Sequence, residues 1–287
     1  MVLEHALGAG SRTLFLYLNR GAAMSSHMTF FYALYAFLFG AAVGSFLNVV
    51  VARLPRRESL VSPGSRCPAC GHPIRFYDNI PIISYLILGA RCRDCGTKIS
   101  ACYPVTELVT GCAFAGVFLR FGIAPATVVF CLFTAAMIAV FRIDLVHMII
   151  PDAISLNGIP VGMAAAICGF IPGMDWKLTF VGTFVGAAVL YVPAVIYEWL
   201  RGMEGLGGGD VKLLAMIGAF TGPYGVVFVL LISSLVGSVV GLAGIMVRST
   251  KSTTPIPFGP FIAAAAVLYV FAGQQLIQGF FRLSLRF

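Results

Sequence analysis

Charged side chains are scarce in this sequence. Of its 287 residues only 10% are Asp, Glu, Lys or Arg, whereas 59% are hydrophobic. A soluble domain carries about 25% charged residues, so these charges are too few to cover a water-facing surface. The sequence also lacks the apolar-polar alternation of membrane β-barrel strands, and we expect no signal peptide at its start. These absences exclude a secreted enzyme, a Rossmann domain and a coiled coil, and they indicate an integral membrane protein.

Long apolar runs predict about eight transmembrane helices. The first run covers residues 30–51 and ends at a cluster of basic residues. The others lie at 104–120, 124–142, 153–172, 178–197, 211–221, 223–247 and 257–279, and Gly or Pro residues separate several of them. The predicted fold class is therefore an all-α polytopic membrane protein, with a small polar loop domain between the first and second spans.

This pattern divides the chain into five parts. We expect an N-terminal extension over residues 1–27, a first transmembrane helix over 28–52 and a polar domain over 53–102. A transmembrane domain over 103–280 and a short tail over 281–287 follow.

The net charge of +8 is interpreted as an orientation signal. If residue 1 lies outside, the inner loops carry 13 basic residues and the outer segments carry 6. Basic residues favour the cytoplasmic side, so the polar domain is predicted to face the cytoplasm. The basic residues are spread among loops without interleaved aromatic residues, and we therefore expect no nucleic-acid partner.

Four of the eight cysteines form two CxxC units, Cys67-Pro-Ala-Cys70 and Cys92-Arg-Asp-Cys95. A glycine follows each unit directly, and the two units are 21 residues apart. Four thiolates satisfy tetrahedral zinc, and the spacing lies just beyond that of zinc ribbons. Two disulfides or unrelated thiols are the alternatives, but a reducing cytoplasm disfavours the disulfides. The sequence therefore predicts a structural zinc site formed by Cys67, Cys70, Cys92 and Cys95.

Acidic side chains number only eleven, and five of them fall on the cytoplasmic side of predicted spans. These five are Asp144, Asp152, Glu198, Glu204 and Asp210. A carboxylate at the edge of a membrane helix is costly unless it is paired or hydrated, which makes each a functional candidate. Two such carboxylates on different helices can share a proton and activate water, as in aspartic proteases. The residues alone leave open whether Asp144 or Asp152 partners Asp210, and helix capping is the alternative role for Asp152 and Asp210.

The glycines before Asp210 fit the same chemistry. In Gly207-Gly-Gly-Asp210 they leave room for a substrate backbone to approach the carboxylate in extended form. Close helix packing is the alternative reason for them.

In combination, these motifs resemble the bacterial type IV prepilin peptidases, also called leader peptidase/N-methyltransferases, over roughly residues 40–270. The resemblance rests on motifs in their family order: Gly44-Ser-Phe-Leu-Asn-Val49, Arg53-Leu-Pro55, the two CxxC units around Asp78-Asn-Ile-Pro81, Tyr103-Pro104 with Glu107, Ile143-Asp144-Leu145, Ile150-Pro-Asp152, and Gly207-Gly-Gly-Asp210-Val-Lys212. The last of these is similar to the GxGD motif of intramembrane aspartic proteases. Ala90 and Cys102 depart from the family pattern, and both departures concern the methyltransferase part.

The resemblance implies an aspartic endopeptidase of the A24 type with Asp144 and Asp210 as the catalytic pair. It implies that Gly207, Gly209, Lys212 and Asp152 shape the active site. The implied substrates are type IV prepilins or type II secretion pseudopilins, cut after a glycine that ends a short basic leader. It further implies methylation of the new N-terminal residue with S-adenosylmethionine, and a place in the bacterial inner membrane with the active site facing the cytoplasm.

Two alternatives remain from the residues. One is a peptidase that does not methylate its product. The other is a membrane transporter or scaffold with a zinc-ribbon loop and buried proton-relay acids, although such a protein would place its acids at mid-membrane rather than on one side.

Overall fold

A computed structural model describes residues 25–202, 207–248, 257–273 and 275–276. The predicted extension lies outside these ranges apart from residues 25–27, and so do the tail and Glu204. The α-helices are α1 (Ser26–Arg53), α2 (Ile83–Ile87), α3 (Cys102–Phe121), α4 (Pro125–His147), α5 (Asp152–Ile167), α6 (Trp176–Arg201), α7 (Gly208–Arg248) and α8 (Gly259–Leu268). Short 3-10 helices at Leu54–Arg56 and Phe76–Asn79 and a π-helical turn at Tyr269–Gly273 complete the set.

Five of these helices, α1, α3, α4, α6 and α7, are long and apolar enough to cross a membrane. Helices α5 and α8 are apolar but shorter. Helix α7 is broken at Gly222, whose φ of 69° and ψ of −177° are not helical, and Pro223 follows directly. The break separates the predicted runs 211–221 and 223–247. The all-α membrane fold with a cysteine loop between its first and second spans is thus confirmed.

The described helices group into two compact units, divided within α4 between Ala139 and Val140. In the unit that covers residues 25–139, α1 packs along α3 through glycines. A Cβ atom on Gly44 would lie 2.7 Å from the Cα of Glu107, and one on Gly40 would lie 2.8 Å from the Cβ of Phe114. Small residues therefore allow these two spans to approach closely, as is typical of membrane helix pairs.

In the unit that begins at Val140, the first half of α7 lies at the centre. Its residues Leu213, Leu214 and Ile217 are fully buried. Helix α6 packs against it where Gly182 meets Gly218, and the Thr179 hydroxyl donates a hydrogen bond to the Ala219 carbonyl. This packing fixes the start of α7, and with it the position of Asp210.

The structure also extends one predicted boundary. The apolar run expected to end at residue 142 continues as helix to His147, so Asp144 lies inside α4 rather than beyond it. The reason is that Met148 takes a left-handed conformation with φ of 54° and its N–H still donates to the Asp144 carbonyl over 2.9 Å. The helix therefore closes one turn later than hydropathy alone indicates.

Candidate active site and metal centre

Asp144 occupies the last turn of α4 and is buried, with 5% of its surface exposed. Ile143 beside it is fully buried. After α4 ends at His147, a short segment leads to Pro151, which is the N-cap residue of α5. Asp144 thus sits where a span ends, next to a chain reversal that brings Ile150 back toward it.

Asp210 lies in the first turn of α7 and is half-buried. Its backbone N–H donates a hydrogen bond to the Gly207 carbonyl over 3.1 Å. A Cβ atom on Gly209 would lie 3.1 Å from the Cβ of Ile150, so a larger residue there would press against that segment. A Cβ on Gly208, in contrast, would meet nothing within 4 Å. Among the described residues, the glycine run therefore packs against Ile150 at Gly209 and meets no neighbour at Gly208.

The Ile150 segment lies beside both acids: a Cβ on Gly259 would approach Asp144 and Ile150, and a Cβ on Gly209, next to Asp210, would approach Ile150 as well. The charge of Asp144 also acts on Asp210. The structure brings together Asp144 and Asp210, the two acids that the resemblance names. Asp152, the other acid that the residues alone left open, is the first residue of α5, and its carboxylate pairs with Lys212. Two carboxylates in one place can divide the roles of base and acid, since neither ionises independently of the other.

Gly259 is a site residue that the sequence analysis missed. Its backbone N–H donates a hydrogen bond to the Asp144 carboxylate. A Cβ atom at this position would lie 2.6 Å from Oδ2 of Asp144 and 3.1 Å from Cδ1 of Ile150. The signal in the sequence was the Pro257-Phe-Gly-Pro260 segment, which hydropathy alone marks only as the start of the last apolar run. The start of α8 is thereby the third helix end at this site.

Lys212 and Asp152 form an ion pair of 2.8 Å between the Lys Nζ and a carboxylate oxygen. It joins the first turns of α7 and α5. Both side chains are exposed, Lys212 by 39% and Asp152 by 57%. A pair this exposed stabilises a structure by about 0–1 kcal/mol. It therefore helps to orient the two helix ends but adds little to the stability of the fold.

The four predicted cysteine ligands come together in the polar loop. Their Sγ atoms all lie within 4.8 Å of one another, and those of Cys67 and Cys95 are 3.8 Å apart. Four thiolates at about 2.3 Å from a tetrahedral zinc ion stand about 3.8 Å from one another. All four cysteines are free thiols, so the donor set fits a metal ion, and the disulfide alternative is absent from the structure.

Two matching turns build this cluster. In the first, the Cys67 N–H donates to the His72 carbonyl and the Gly71 N–H to the Cys67 carbonyl. In the second, the Cys92 N–H donates to the Thr97 carbonyl and the Gly96 N–H to the Cys92 carbonyl. Both glycines have a positive φ near 70°, which a residue with a side chain rarely adopts. The CxxCG spacing thus determines the geometry of each half of the cluster.

Local hydrogen bonds shift the pKa values of groups in and near the cluster. Hydrogen bonds with the side chain and then the backbone of Thr97 lower the pKa of the Cys95 thiol to about 6. Nearby, Arg93 donates two hydrogen bonds of 3.0 Å and 2.6 Å to Asp78. The hydrogen bond from Arg93 lowers the pKa of Asp78, so this carboxylate is ionised and paired.

Comparisons with known proteins agree with both halves of this description. The model of the bacterial peptidase A24 N-terminal domain matches residues 38–121, and that of the type IV leader peptidase family matches residues 131–242. A prepilin leader peptidase/N-methyltransferase of Pseudomonas aeruginosa is 36% identical, over 91% of this chain and 97% of its own length. Proteins of the same description from Burkholderia pseudomallei and Myxococcus xanthus are 34% and 40% identical. They cover 94% and 78% of this chain, and 92% and 66% of their own lengths. No solved structure matches the chain.

Proposed function

The chain belongs to the type IV leader peptidase family, and from that premise we propose that Asp144 and Asp210 are its catalytic pair. Its activity is that of the family, cleavage of prepilin leaders and N-methylation. One observation carries the assignment of the pair: the last turn of α4 and the first turn of α7 bring two scarce carboxylates together. Family membership, rather than this geometry, favours the peptidase over the transporter or scaffold alternative.

The reaction that we propose for the pair is hydrolysis of the peptide bond after a glycine. One carboxylate takes a proton from a water molecule, and the other donates a proton to the leaving amine. The Gly259 N–H donates a hydrogen bond to the Asp144 carboxylate and so orients it. The pair as a whole supplies the general base and the general acid.

The glycines on either side of Gly208 support the placement of substrate in this proposal. No described residue lies within 4 Å of a Cβ placed on Gly208, which leaves room for an extended peptide next to Asp210. Gly209 packs against Ile150. A Cβ atom placed on Gly207 would lie 3.9 Å from Oδ2 of Asp210. Lys212 and Asp152 hold the first turns of α7 and α5 together through their ion pair.

The test of the pair is the cleavage of a prepilin by Asp144→Asn and Asp210→Asn proteins in membranes. We expect each to lose about 10²–10⁴-fold in rate, the usual contribution of one acid or base group. Asp175→Asn is the matched control, because Asp175 caps α6 by accepting a hydrogen bond from the Leu178 N–H and asparagine caps equally well. If either dyad variant is inserted normally and cleaves at the control's rate, the assignment is wrong.

Zinc is the metal that we propose for the four-cysteine cluster. The cluster can hold a metal ion, and four thiolates leave no coordination position for water, which is typical of a structural zinc site. Cys67, Cys70, Cys92 and Cys95 would hold the ion, whose contribution is to fold the loop. Metal analysis of purified protein, with a stoichiometry near one zinc per chain expected, tests this proposal.

The methyl donor implied by the family is S-adenosylmethionine, and the cavity beside α1 does not fit it. This cavity of about 320 Å³ has Arg53 as the only charged residue in its lining. The Arg53 guanidinium already donates to the carbonyls of Ser59 and Gly64, and the lining offers no carboxylate to a sulfonium or amine. We therefore derive no step through the methyl donor.

The finer organisation follows from the same family membership. We propose residues 28–52 as the first span, 53–102 as the metal domain associated with methylation, and 103–280 as the peptidase domain. The substrates would be type IV prepilins or type II secretion pseudopilins. The excess of basic residues in one set of loops supports a place in the inner membrane with the active site and the cysteine loop facing the cytoplasm.

A further inference from the structure

The polar loop between α1 and α3 exposes several large apolar side chains. Phe76 is 88% exposed, Leu86 70%, Ile87 74% and Ile83 50%. We call these four residues the interfacial patch. A cluster of exposed apolar side chains on an otherwise polar domain marks a contact surface, and neither the proposed peptidase chemistry nor the metal cluster uses it.

The patch is held in a fixed orientation. Ile83, Leu86 and Ile87 are spaced i, i+3 and i+4 along α2, so they share one face of this short helix. Ser84 is buried instead; its hydroxyl donates to the Tyr77 carbonyl over 2.9 Å and accepts from the Ile80 N–H over 3.0 Å. These bonds tie α2 to the 3-10 helix that carries Phe76. The apolar face is therefore turned outward by the fold and is not a feature of a loose loop.

The depth of the patch follows from its attachment to α3. The Ile82 N–H, just before α2, donates a hydrogen bond of 2.7 Å to the carboxylate of buried Glu107. Glu107 lies five residues after the start of α3, or about 7.5 Å along the helix axis, and helical side chains point back toward the N-terminus. Since α3 has 20 residues, about the 30 Å of a hydrocarbon core, α2 is held at the level where α3 enters the membrane.

The loop also runs beside α1. Val61 and Pro81 line one cavity with Ala42 and Phe46 of α1, so the loop covers the side of the span and does not only extend from its end. Ile82 has a positive φ of 63° with ψ of −50°, which is an outlier for a β-branched residue. The bond to Glu107 holds this backbone in place, and the patch with it.

The net positive charge of the loop indicates which kind of surface the patch contacts. Residues 53–102 carry eight basic and three acidic side chains, and Asp78 is already neutralised by Arg93. Basic residues next to a span attract anionic lipid headgroups, while amphipathic elements bury their apolar side about 5–10 Å into the boundary between headgroups and acyl chains. Exposure of the patch to water is unfavourable. An anionic leaflet can bury its apolar side chains and attract the basic residues of the surrounding loop.

We propose that the interfacial patch inserts into the anionic leaflet at which α1 ends and α3 begins, and so anchors the four-cysteine loop to the membrane surface. The interaction is distinct from the peptidase chemistry and does not depend on it. The anchoring restricts the loop to the plane of the membrane, which is where a substrate that enters from the bilayer is found.

Depth-dependent fluorescence quenching tests this proposal on the full chain. Trp176 and Trp199, the two tryptophans of the sequence, are replaced by phenylalanine. Single Phe76→Trp, Leu86→Trp and Ile87→Trp variants are then reconstituted in phosphatidylcholine vesicles with and without phosphatidylglycerol. His72→Trp, at the exposed turn of the first cysteine unit, is the control. Brominated lipid and aqueous iodide serve as the two quenchers.

Brominated lipid is expected to quench the three patch variants several times more strongly than the His72→Trp control, and more strongly when phosphatidylglycerol is present. Iodide is expected to show the reverse order. Equal quenching by iodide at Leu86→Trp and His72→Trp would overturn the proposal, since the patch would then lie in water. Protection of the patch variants from both quenchers would overturn it as well, because protein rather than lipid would cover the patch.

Discussion

The cysteine cluster and the carboxylate pair are built in opposite ways. All four thiols come from one loop, and two short turns with glycines at positive φ place them. The carboxylate site collects Asp144, Ile150, Asp210 and Gly259 from three helix ends and one linking segment. The first site is determined by spacing within a few residues, and the second exists only after the spans have packed.

The forces that hold the two sites differ accordingly. The polar loop offers few buried apolar residues, and Cys67 and Ser84 are its only buried side chains between residues 54 and 101. The carboxylate site rests on the buried face of α7, where Leu213, Leu214 and Ile217 are fully enclosed. We therefore expect metal loss to unfold the first region, and small changes in side-chain volume to damage the second.

The largest expected effect is that of removing the metal. A Cys92→Ser variant loses one of four ligands, and a structural zinc site contributes about 10–16 kcal/mol of binding free energy to folding. We expect residues 54–101 to become sensitive to limited proteolysis while the helices from Val140 onward stay resistant. Cys168→Ser is the control, because Cys168 lies at the end of α5 outside the cluster. A metal-free loop that resists protease as well as wild type would contradict this contrast.

The next effect concerns Gly259. A Gly259→Ala protein places a methyl group 2.6 Å from Oδ2 of Asp144, so the carboxylate has to move, and a displacement of about 1 Å near the chemistry costs about 100-fold in rate. We expect kcat for prepilin cleavage to fall by this order with little change in KM. The methyl group of Gly208→Ala meets nothing within 4 Å, so that variant is the matched control.

Equal rates for the two alanine variants would show that Asp144 tolerates the displacement. A fall in kcat that is accompanied by loss of protein from the membrane would also count against a local effect. The pH profile of the residual activity separates these outcomes, because a positioning role predicts a shifted profile for Gly259→Ala and an unshifted one for Gly208→Ala.

The smallest expected effect is that of the Lys212 and Asp152 pair. Exposed ion pairs contribute about 0–1 kcal/mol, so Lys212→Ala and Asp152→Asn should each lower cleavage by at most about fivefold. A double-mutant cycle at low and high salt measures the coupling, which should weaken as salt rises. A large loss for Lys212→Ala with none for Asp152→Asn would indicate that Lys212 acts on the substrate directly.

The sequence alone predicted the metal cluster more completely than the carboxylate site. The spacing Cys67-x-x-Cys70-Gly71 contains its own turn, so the metal cluster could be predicted from the residues alone. The apolar runs likewise predicted the helices, and the break at Gly222 separates two of them as expected. For the carboxylates, the residues located Asp210 but could not choose between Asp144 and Asp152, and the family resemblance made that choice.

Gly259 shows why the rest could not be predicted. Gly259 contributes a backbone N–H and the absence of a side chain. Any glycine offers both, so nothing in the sequence distinguishes this one among 32 glycines. The exposed apolar face of α2 posed a similar problem. Its five residues read as part of a polar loop, and only the bonds of Ser84 and Ile82 show that the face is held outward.

The most direct test of the account measures prepilin cleavage and zinc content on the same preparations of wild-type, Asp210→Ala and Asp175→Asn protein. We predict one zinc per chain in all three, an uncut prepilin with Asp210→Ala, and a product of the mature mass with the other two. Cleavage by Asp210→Ala at the wild-type rate, with its zinc retained, would contradict the claim that the carboxylate pair cuts the peptide bond.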